Sequence, residues 1–173
     1  MDLKSKIRTI PDWPAKGVMF RDITTLLQDP AAFRETIDRF YERYRDVDID
    51  KIVGIDARGL IFGAPLAYRL GVGFVPVRKK GKLPYKTIGA SYSLEYGENE
   101  VEIHEDAVAP GEKVVIVDDL IATGGTVEAA VKLVEKLGGK VMECAFVIDL
   151  PDLKGRDKIR DYSVFALMEF EGE

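Results

Sequence analysis

The 173-residue sequence contains one cysteine and one histidine, Cys144 and His104. A single cysteine excludes an intramolecular disulfide and any multi-cysteine zinc site, and a single histidine leaves no pair for a two-histidine metal centre. No apolar run reaches the roughly 18 residues needed to cross a bilayer. The opening residues 1–6, MDLKSK, lack the apolar core of a signal peptide. The expectation is a cytoplasmic protein with no membrane partner. Basic residues are outnumbered: 25 Lys plus Arg against 30 Asp plus Glu give a net charge of −5. A general nucleic-acid coat needs the opposite balance, so no nucleic-acid partner is expected. The chemistry must rest on carboxylates, basic side chains and backbone amides.

A chain 46% apolar and 32% charged fits one globular domain covering residues 1–173. A domain of this size buries roughly two-thirds of the surface its unfolded chain exposes and needs no covalent or metal staple. The opening third reads as two helices around an irregular segment. The second starts at Asp29-Pro30, an N-cap followed by proline, and lines up Phe33, Ile37, Phe40, Tyr41 and Tyr44 for core packing. From Lys51 onward strands and helices alternate. Residues 51–55 and 113–117 are apolar runs, the second continuous enough for a parallel strand buried on both faces. Residues 60–70, closed by Gly71, and 125–137, stopped by Gly138-Gly139, carry helical patterns. Residues 73–77 are strand-like, with Pro76 pointing to an edge or strand end. Residues 90–95 and 100–104 flank 96–99, which reads as a hairpin turn, and 141–148 and 163–167 supply further strands. This rhythm predicts an α/β fold, a mostly parallel central sheet flanked by helices, with ligands outside the carboxyl ends of the strands.

One segment stands out: residues 114–126, VVIVDDLIATGGT. A buried strand delivers Asp118 and Asp119, then a glycine-rich turn opens a helix. The turn Ala122, Thr123, Gly124, Gly125, Thr126 offers backbone N–H groups, two hydroxyls and a helix N-terminus, a set that favours a phosphate monoester. Like charges keep Asp118 and Asp119 off that phosphate. As acceptors they suit vicinal sugar hydroxyls, and the two halves together describe a ribose 5-phosphate cradle. Neither a Walker-type phosphate loop nor a dinucleotide fingerprint occurs in the chain.

Those thirteen residues resemble the signature of the type I phosphoribosyltransferases. The resemblance implies a small N-terminal hood, contributed by about residues 1–30, a mobile hairpin lid, and phosphoribosyl pyrophosphate as substrate. It also implies Mg²⁺ carried on the pyrophosphate rather than held by protein side chains. Ala122 stands where hypoxanthine–guanine members carry an acidic residue, so acid–base help must come from elsewhere. Glu95, in residues 90–97 (ASYSLEYG), is the nearest candidate, although by composition alone it is an ordinary solvated hairpin glutamate. That segment resembles the purine side of adenine-specific members, where the glutamate handles the imidazole proton of the base. Residues 54–63, GIDARGLIFG, resemble their pyrophosphate loop and assign Ala57, Arg58 and Gly59 to pyrophosphate, with Arg58 also reaching the purine. Residues 17–23, GVMFRDI, resemble their hood: Phe20 would stack on adenine while main-chain groups of Met19 and Arg21 read its amino edge.

Residues 78–86, RKKGKLPYK, carry five positive charges in a chain otherwise at −10, from −5 minus +5. A basic lid closing over a highly anionic substrate has a physical purpose. The resemblance assigns Arg78, Lys79 and Lys82 to pyrophosphate, with Arg78 given to the neighbouring site of a homodimer. The implied reaction is purine salvage, in which adenine and phosphoribosyl pyrophosphate give AMP and pyrophosphate. Two rivals are a transferase for hypoxanthine or xanthine and a regulator that senses phosphoribosyl pyrophosphate. His104 and Cys144 have only structural readings.

Overall fold

The computed structural model describes residues 1–94 and 97–172. A 3-10 turn at Leu3–Lys6 leads into β1 (Arg8–Pro11) and β2 (Met19–Asp22), then α1 (Thr24–Gln28) and α2 (Pro30–Tyr44). Next come β3 (Lys51–Ile55), α3 (Arg58–Leu70), β4 (Gly73–Lys79), β5 (Thr87–Leu94) and β6 (Gly97–His104). The chain finishes with β7 (Lys113–Ile121), α4 (Gly125–Lys136), β8 (Lys140–Asp149) and β9 (Val164–Glu169), with 3-10 turns at Pro151–Leu153 and Gly155–Ile159 before β9.

The main sheet runs β5-β6-β4-β3-β7-β8-β9, and its five strands from β4 to β9 pair in parallel. The chain steps from β3 outward to β4 and from β7 outward to β8, in opposite directions. The strand order therefore switches between β3 and β7, where open α/β sheets leave a crevice at their carboxyl ends. Alternate residues of β7 serve two cores. Val115 and Val117 pack with α2 and α3 residues such as Phe40, Phe62 and Leu66, while Val114 and Ile116 pack under α4 with Ala130 and Val134. Burial on both faces explains the unbroken apolar run.

Helix α2 starts as its sequence predicts: Asp29 accepts hydrogen bonds from the Ala31 and Ala32 amides at 3.0 and 3.2 Å. Four other expectations need correction. The irregular opening segment contains a two-stranded antiparallel hairpin, β1 with β2, whose short strands carry no readable alternation. Strand β7 continues to Ile121, because β8 pairs with it up to Ile121↔Asp149 although β3 leaves it at Val117. Residues 97–99 are strand rather than turn, pairing with 92–94; Glu95 lies outside the described residues. Pro76 sits inside the sheet, where it is tolerated for a local reason. The Val77 carbonyl accepts the Asp56 amide on the β3 side, so Pro76 faces the other way, where β6 pairs only from Arg78.

At the opposite end of the sheet, Glu143 ties three elements together. Its carboxylate accepts from Arg43 Nε at 2.6 Å, Tyr44 OH at 2.6 Å and Ser163 Oγ at 2.5 Å. Burial alone would raise its pKa, but the bonds from Arg43, Ser163 and Tyr44 outweigh burial and hold it below the usual carboxylate range. A depressed folded-state pKa means that this stabilisation is complete above the ordinary value of 4.5 and is lost as pH falls below it. Glu143→Ala should lower unfolding free energy in urea at pH 7 by about 3 kcal/mol, the low end for breaking a buried pair, since Arg43 is half exposed. The deficit should shrink toward pH 3. A variant as stable as the parent at pH 7 would contradict this account.

Candidate active site

The crevice at the switch point is built from the ends of β3 and β7. Beyond Val117, β7 has no partner on the β3 side, and the first turn of α3 occupies that space. Helix α3 approaches this closely because Gly59 has no side chain: a Cβ there would lie 2.7 Å from the Val117 carbonyl and 3.0 Å from Asp118 Oδ1. Ala57 caps the helix, and the Asp56–Ala57 peptide is cis. Arg58 is the first helical residue, and its Nε donates to Asp119 Oδ2 on β7 at 2.5 Å.

A cavity of about 150 Å³ joins the predicted residues, lined by Arg58, Asp118, Asp119 and the whole turn from Ala122 to Thr126. Gly124 precedes α4 at φ +87°, a left-handed conformation that favours glycine. The Glu128 amide bonds back to the Gly124 carbonyl at 3.0 Å, so the amides of residues 125–127 lie ahead of the helix's own bonding. Gly125 faces the Tyr92 ring, which a Cβ would meet at 3.3 Å. Anion-seeking amides and hydroxyls thus share one cavity with two carboxylates.

The carboxylates are not equivalent. Asp119 is buried and paired with Arg58, whereas Asp118 accepts only the Asp119 amide, at 2.8 Å, among the described contacts. Burial and then the neighbouring charge of Asp119 push Asp118 well above the usual carboxylate range. Burial works against the Arg58 charge, but Asp119 and then Asp118 outweigh it and raise its pKa.

Other predicted residues lie outside this cavity. Arg78 Nε donates to Asp56 Oδ2 at 3.2 Å. Lys79 belongs to β4 and lines a separate hollow with Lys80, Ser91 and Glu100, and Lys82 is exposed. Met19, Phe20 and Arg21 sit half-buried on β2, with the Phe20 ring 4.5 Å from Trp13 in an edge-to-face pair. The Arg21 side chain is engaged with Thr9, the Glu171 carbonyl and the Phe170 ring. Two neighbours of the site were not anticipated. Asp56, the partner of Arg78, was quoted in the 54–63 segment without a role, and the turn around Gly155 packs directly against Gly124. Only the Pro151…Gly155 punctuation hinted at that turn.

Asp118 has a folded-state pKa above its unfolded value of 3.8, so folding takes up a proton and stability falls as pH rises through that window. At pH 7.5 the Asp118→Asn variant should melt higher than the parent, each ~1 kcal/mol recovered raising Tm by about 2–4 °C. The gap should narrow toward pH 4. Asp119→Asn, which strands the Arg58 charge, should melt lower. An Asp118→Asn variant melting at or below the parent at pH 7.5 would rule out this charge arrangement.

The phosphoribosyl transferase domain family matches residues 22–172. An adenine phosphoribosyltransferase of Desulfosudis oleivorans is 80% identical over 173 residues, covering 100% of both chains. The adenine phosphoribosyltransferase structure from Thermoanaerobacter pseudethanolicus superposes with a TM-score of 0.95 at 52% identity, over 98% of each chain. That from Saccharomyces cerevisiae, solved with adenine and D-2,5-dideoxy-2,5-imino-altritol 1,6-bisphosphate, gives 0.92 at 45% identity over 96% of each chain. With its carboxylate pair, glycine-rich turn and Arg58 gathered at the switch point of a mostly parallel sheet, this chain belongs to the adenine phosphoribosyltransferase family of the type I phosphoribosyltransferase fold.

Proposed function

We propose that this chain transfers ribose 5-phosphate from phosphoribosyl pyrophosphate to N9 of adenine, giving AMP and pyrophosphate in purine salvage. The observation that carries the reading is the single cavity holding Asp118, Asp119, Arg58 and the turn from Ala122 to Thr126. The 5′-phosphate takes the amides and hydroxyls of Thr123, Gly124, Gly125 and Thr126, and the ribose hydroxyls donate to Asp118 and Asp119. As the bond from the anomeric carbon to pyrophosphate breaks, that carbon gains oxocarbenium character, which the two carboxylates stabilise. N9 forms the new bond and pyrophosphate leaves with the electron pair. Arg58, with the amides of Ala57 and Gly59, stabilises the leaving group. Glu95, entering as the carboxylate, takes the imidazole proton of adenine from N7 as N9 attacks, and the protonated acid then hydrogen-bonds N7.

The donors around the cavity are carboxylates and hydroxyls, a set that fits a hard oxygen-seeking cation such as Mg²⁺. Carried on pyrophosphate and assigned no side-chain ligand, Mg²⁺ would neutralise charge on the leaving group. Base choice rests on the hood and on Ala122, whose methyl group offers no acid–base function. In the two-stranded antiparallel hairpin β1–β2, main-chain groups of Met19 and Phe20 alternate between facing the other strand and facing away from it. A backbone acceptor facing the adenine amino group rejects a 6-oxo purine, because two acceptors would meet.

Residues 1–173 form one domain in this reading. Leu3, Ile7, Ile23 and Leu26 of the hood share an apolar cluster with α2 and α3. Lys79 and Lys82 belong to a lid over pyrophosphate. Arg78 lies outside its own chain's cavity, on Asp56, which supports its use in the neighbouring site of a two-fold homodimer. A cytoplasmic location is in keeping with described helices of which none is long and apolar enough to cross a membrane.

The test is pyrophosphate release with adenine, hypoxanthine, guanine and xanthine in parallel, for the parent and for Glu95→Gln. Adenine should exceed hypoxanthine by at least about a thousandfold in kcat/KM. Glu95→Gln should lower kcat with adenine by about 10²–10⁴ and change KM for phosphoribosyl pyrophosphate little. Comparable turnover of hypoxanthine would overturn the adenine reading, and a Glu95→Gln variant with more than half the activity would remove the glutamate from the chemistry.

A further inference from the structure

Far along the chain from the glycine-rich turn, Lys154, Gly155 and Arg156 form a second turn beneath it. The contact between the two is backbone against backbone. A Cβ at Gly124 would collide with the Gly155 carbonyl, and a Cβ at Gly155 would collide with the Ala122 carbonyl and lie 3.1 Å from the Gly124 nitrogen. The lower turn is itself constrained, since Lys154 holds φ +55°, a left-handed conformation unfavourable for a residue with a side chain. Something must keep it there. Arg156 Nε donates to Asp149 Oδ2 at 2.8 Å, and the Asp149 side chain is only 3% exposed. Asp149 is fixed in turn by the sheet, because it pairs in register with Ile121, the last residue of β7 before the glycine-rich turn. The Leu150 amide closes the same junction by donating to the Ile121 carbonyl at 3.1 Å.

We propose that Arg156 is a positioning residue for phosphate binding: its ion pair with Asp149 holds Gly155 against residues 122–124 and so fixes the amides that receive the 5′-phosphate. The inference rests on the reading of residues 122–126 as the phosphate site. Arg156 itself lines a different cavity, with Lys154, Asp157 and Glu169, and does not border the one that holds Arg58 and Asp118. Its effect therefore passes through Gly155. Without the ion pair the upper turn samples conformations that cannot take the phosphate, and apparent affinity falls by the fraction of molecules in the competent state. Once substrate is bound the turn is ordered again, so the chemical step keeps its rate.

The experiment is steady-state kinetics and thermal melting on the full-length chain. Arg156→Ala should raise KM for phosphoribosyl pyrophosphate about tenfold, as a competent fraction of about one in ten requires, with kcat and KM for adenine within about twofold. Arg156→Lys, which keeps the charge, should restore most of the affinity. A lowered Tm with unchanged KM would make Arg156 a stability residue and overturn the proposal, as would an equal loss in kcat. Should Arg156→Ala not fold, Asp149→Asn must show the same rise in KM, and an unchanged KM there also overturns it. A double variant cut inside the upper turn, Thr123→Ala with Thr126→Val, separates the two layers of argument. If it raises KM for phosphoribosyl pyrophosphate and Arg156→Ala does not, only the positioning role falls. If it changes nothing, the phosphate site is elsewhere and both fall together.

Discussion

Two carboxylates side by side at the open end of a buried strand are the constraint around which the site is arranged. Asp118 and Asp119 are adjacent in β7, Asp119 buried and Asp118 half-buried, and among the described ion pairs only Asp119 has a cationic partner. Adjacent ionised groups in a desolvated site repel, and the folded protein carries that cost until a ligand relieves it. Hydroxyl donors relieve it directly, and a carbon with cationic character relieves it further. In the proposed reaction, the same charge pair that disfavours the ligand-free protein would favour a ribosyl centre approaching its transition state.

Delivery of Arg58 to that pair depends on the absence of side chains elsewhere. Gly54 and Gly63 flank the Phe74 ring, which a Cβ on either would meet at 2.8 Å, and Gly59 lies against the Val117 carbonyl. This close approach puts the first turn of α3 into the gap that β3 leaves beside β7. A second close approach, Gly124 on Gly155, fixes the start of α4. Strand pairing sets where the cleft opens, and glycine contacts set what reaches into it.

Much of this was legible because it is local. The run 113–117 carried its burial on both faces, Asp29-Pro30 carried the start of α2, and residues 118–126 carried in consecutive positions the carboxylate pair and glycine-rich turn that line one cavity. Pairing and packing between distant segments were less legible. The extension of β7 through Asp118 and Asp119 looks like loop in sequence, because the residues are charged; it is strand because β8 continues alongside. The β1–β2 hairpin has only four paired positions and ends in proline, too short for a periodic signal. The Gly124–Gly155 contact joins two turns from opposite sides of α4 and β8, and neither glycine announces the other. Resemblance to a family supplied roles for Arg58, Phe20 and Glu95 that no spacing rule would have assigned.

The account turns on where the phosphate and the ribose sit, and a crystal structure with AMP bound reads both at once. The 5′-phosphate should lie within hydrogen-bond distance of the amides of residues 123–126, with the ribose hydroxyls on Asp118 and Asp119 and the base under the β1–β2 hairpin. A phosphate held instead by the basic residues 78–82, with Asp118 and Asp119 making no contact to the sugar, would contradict it.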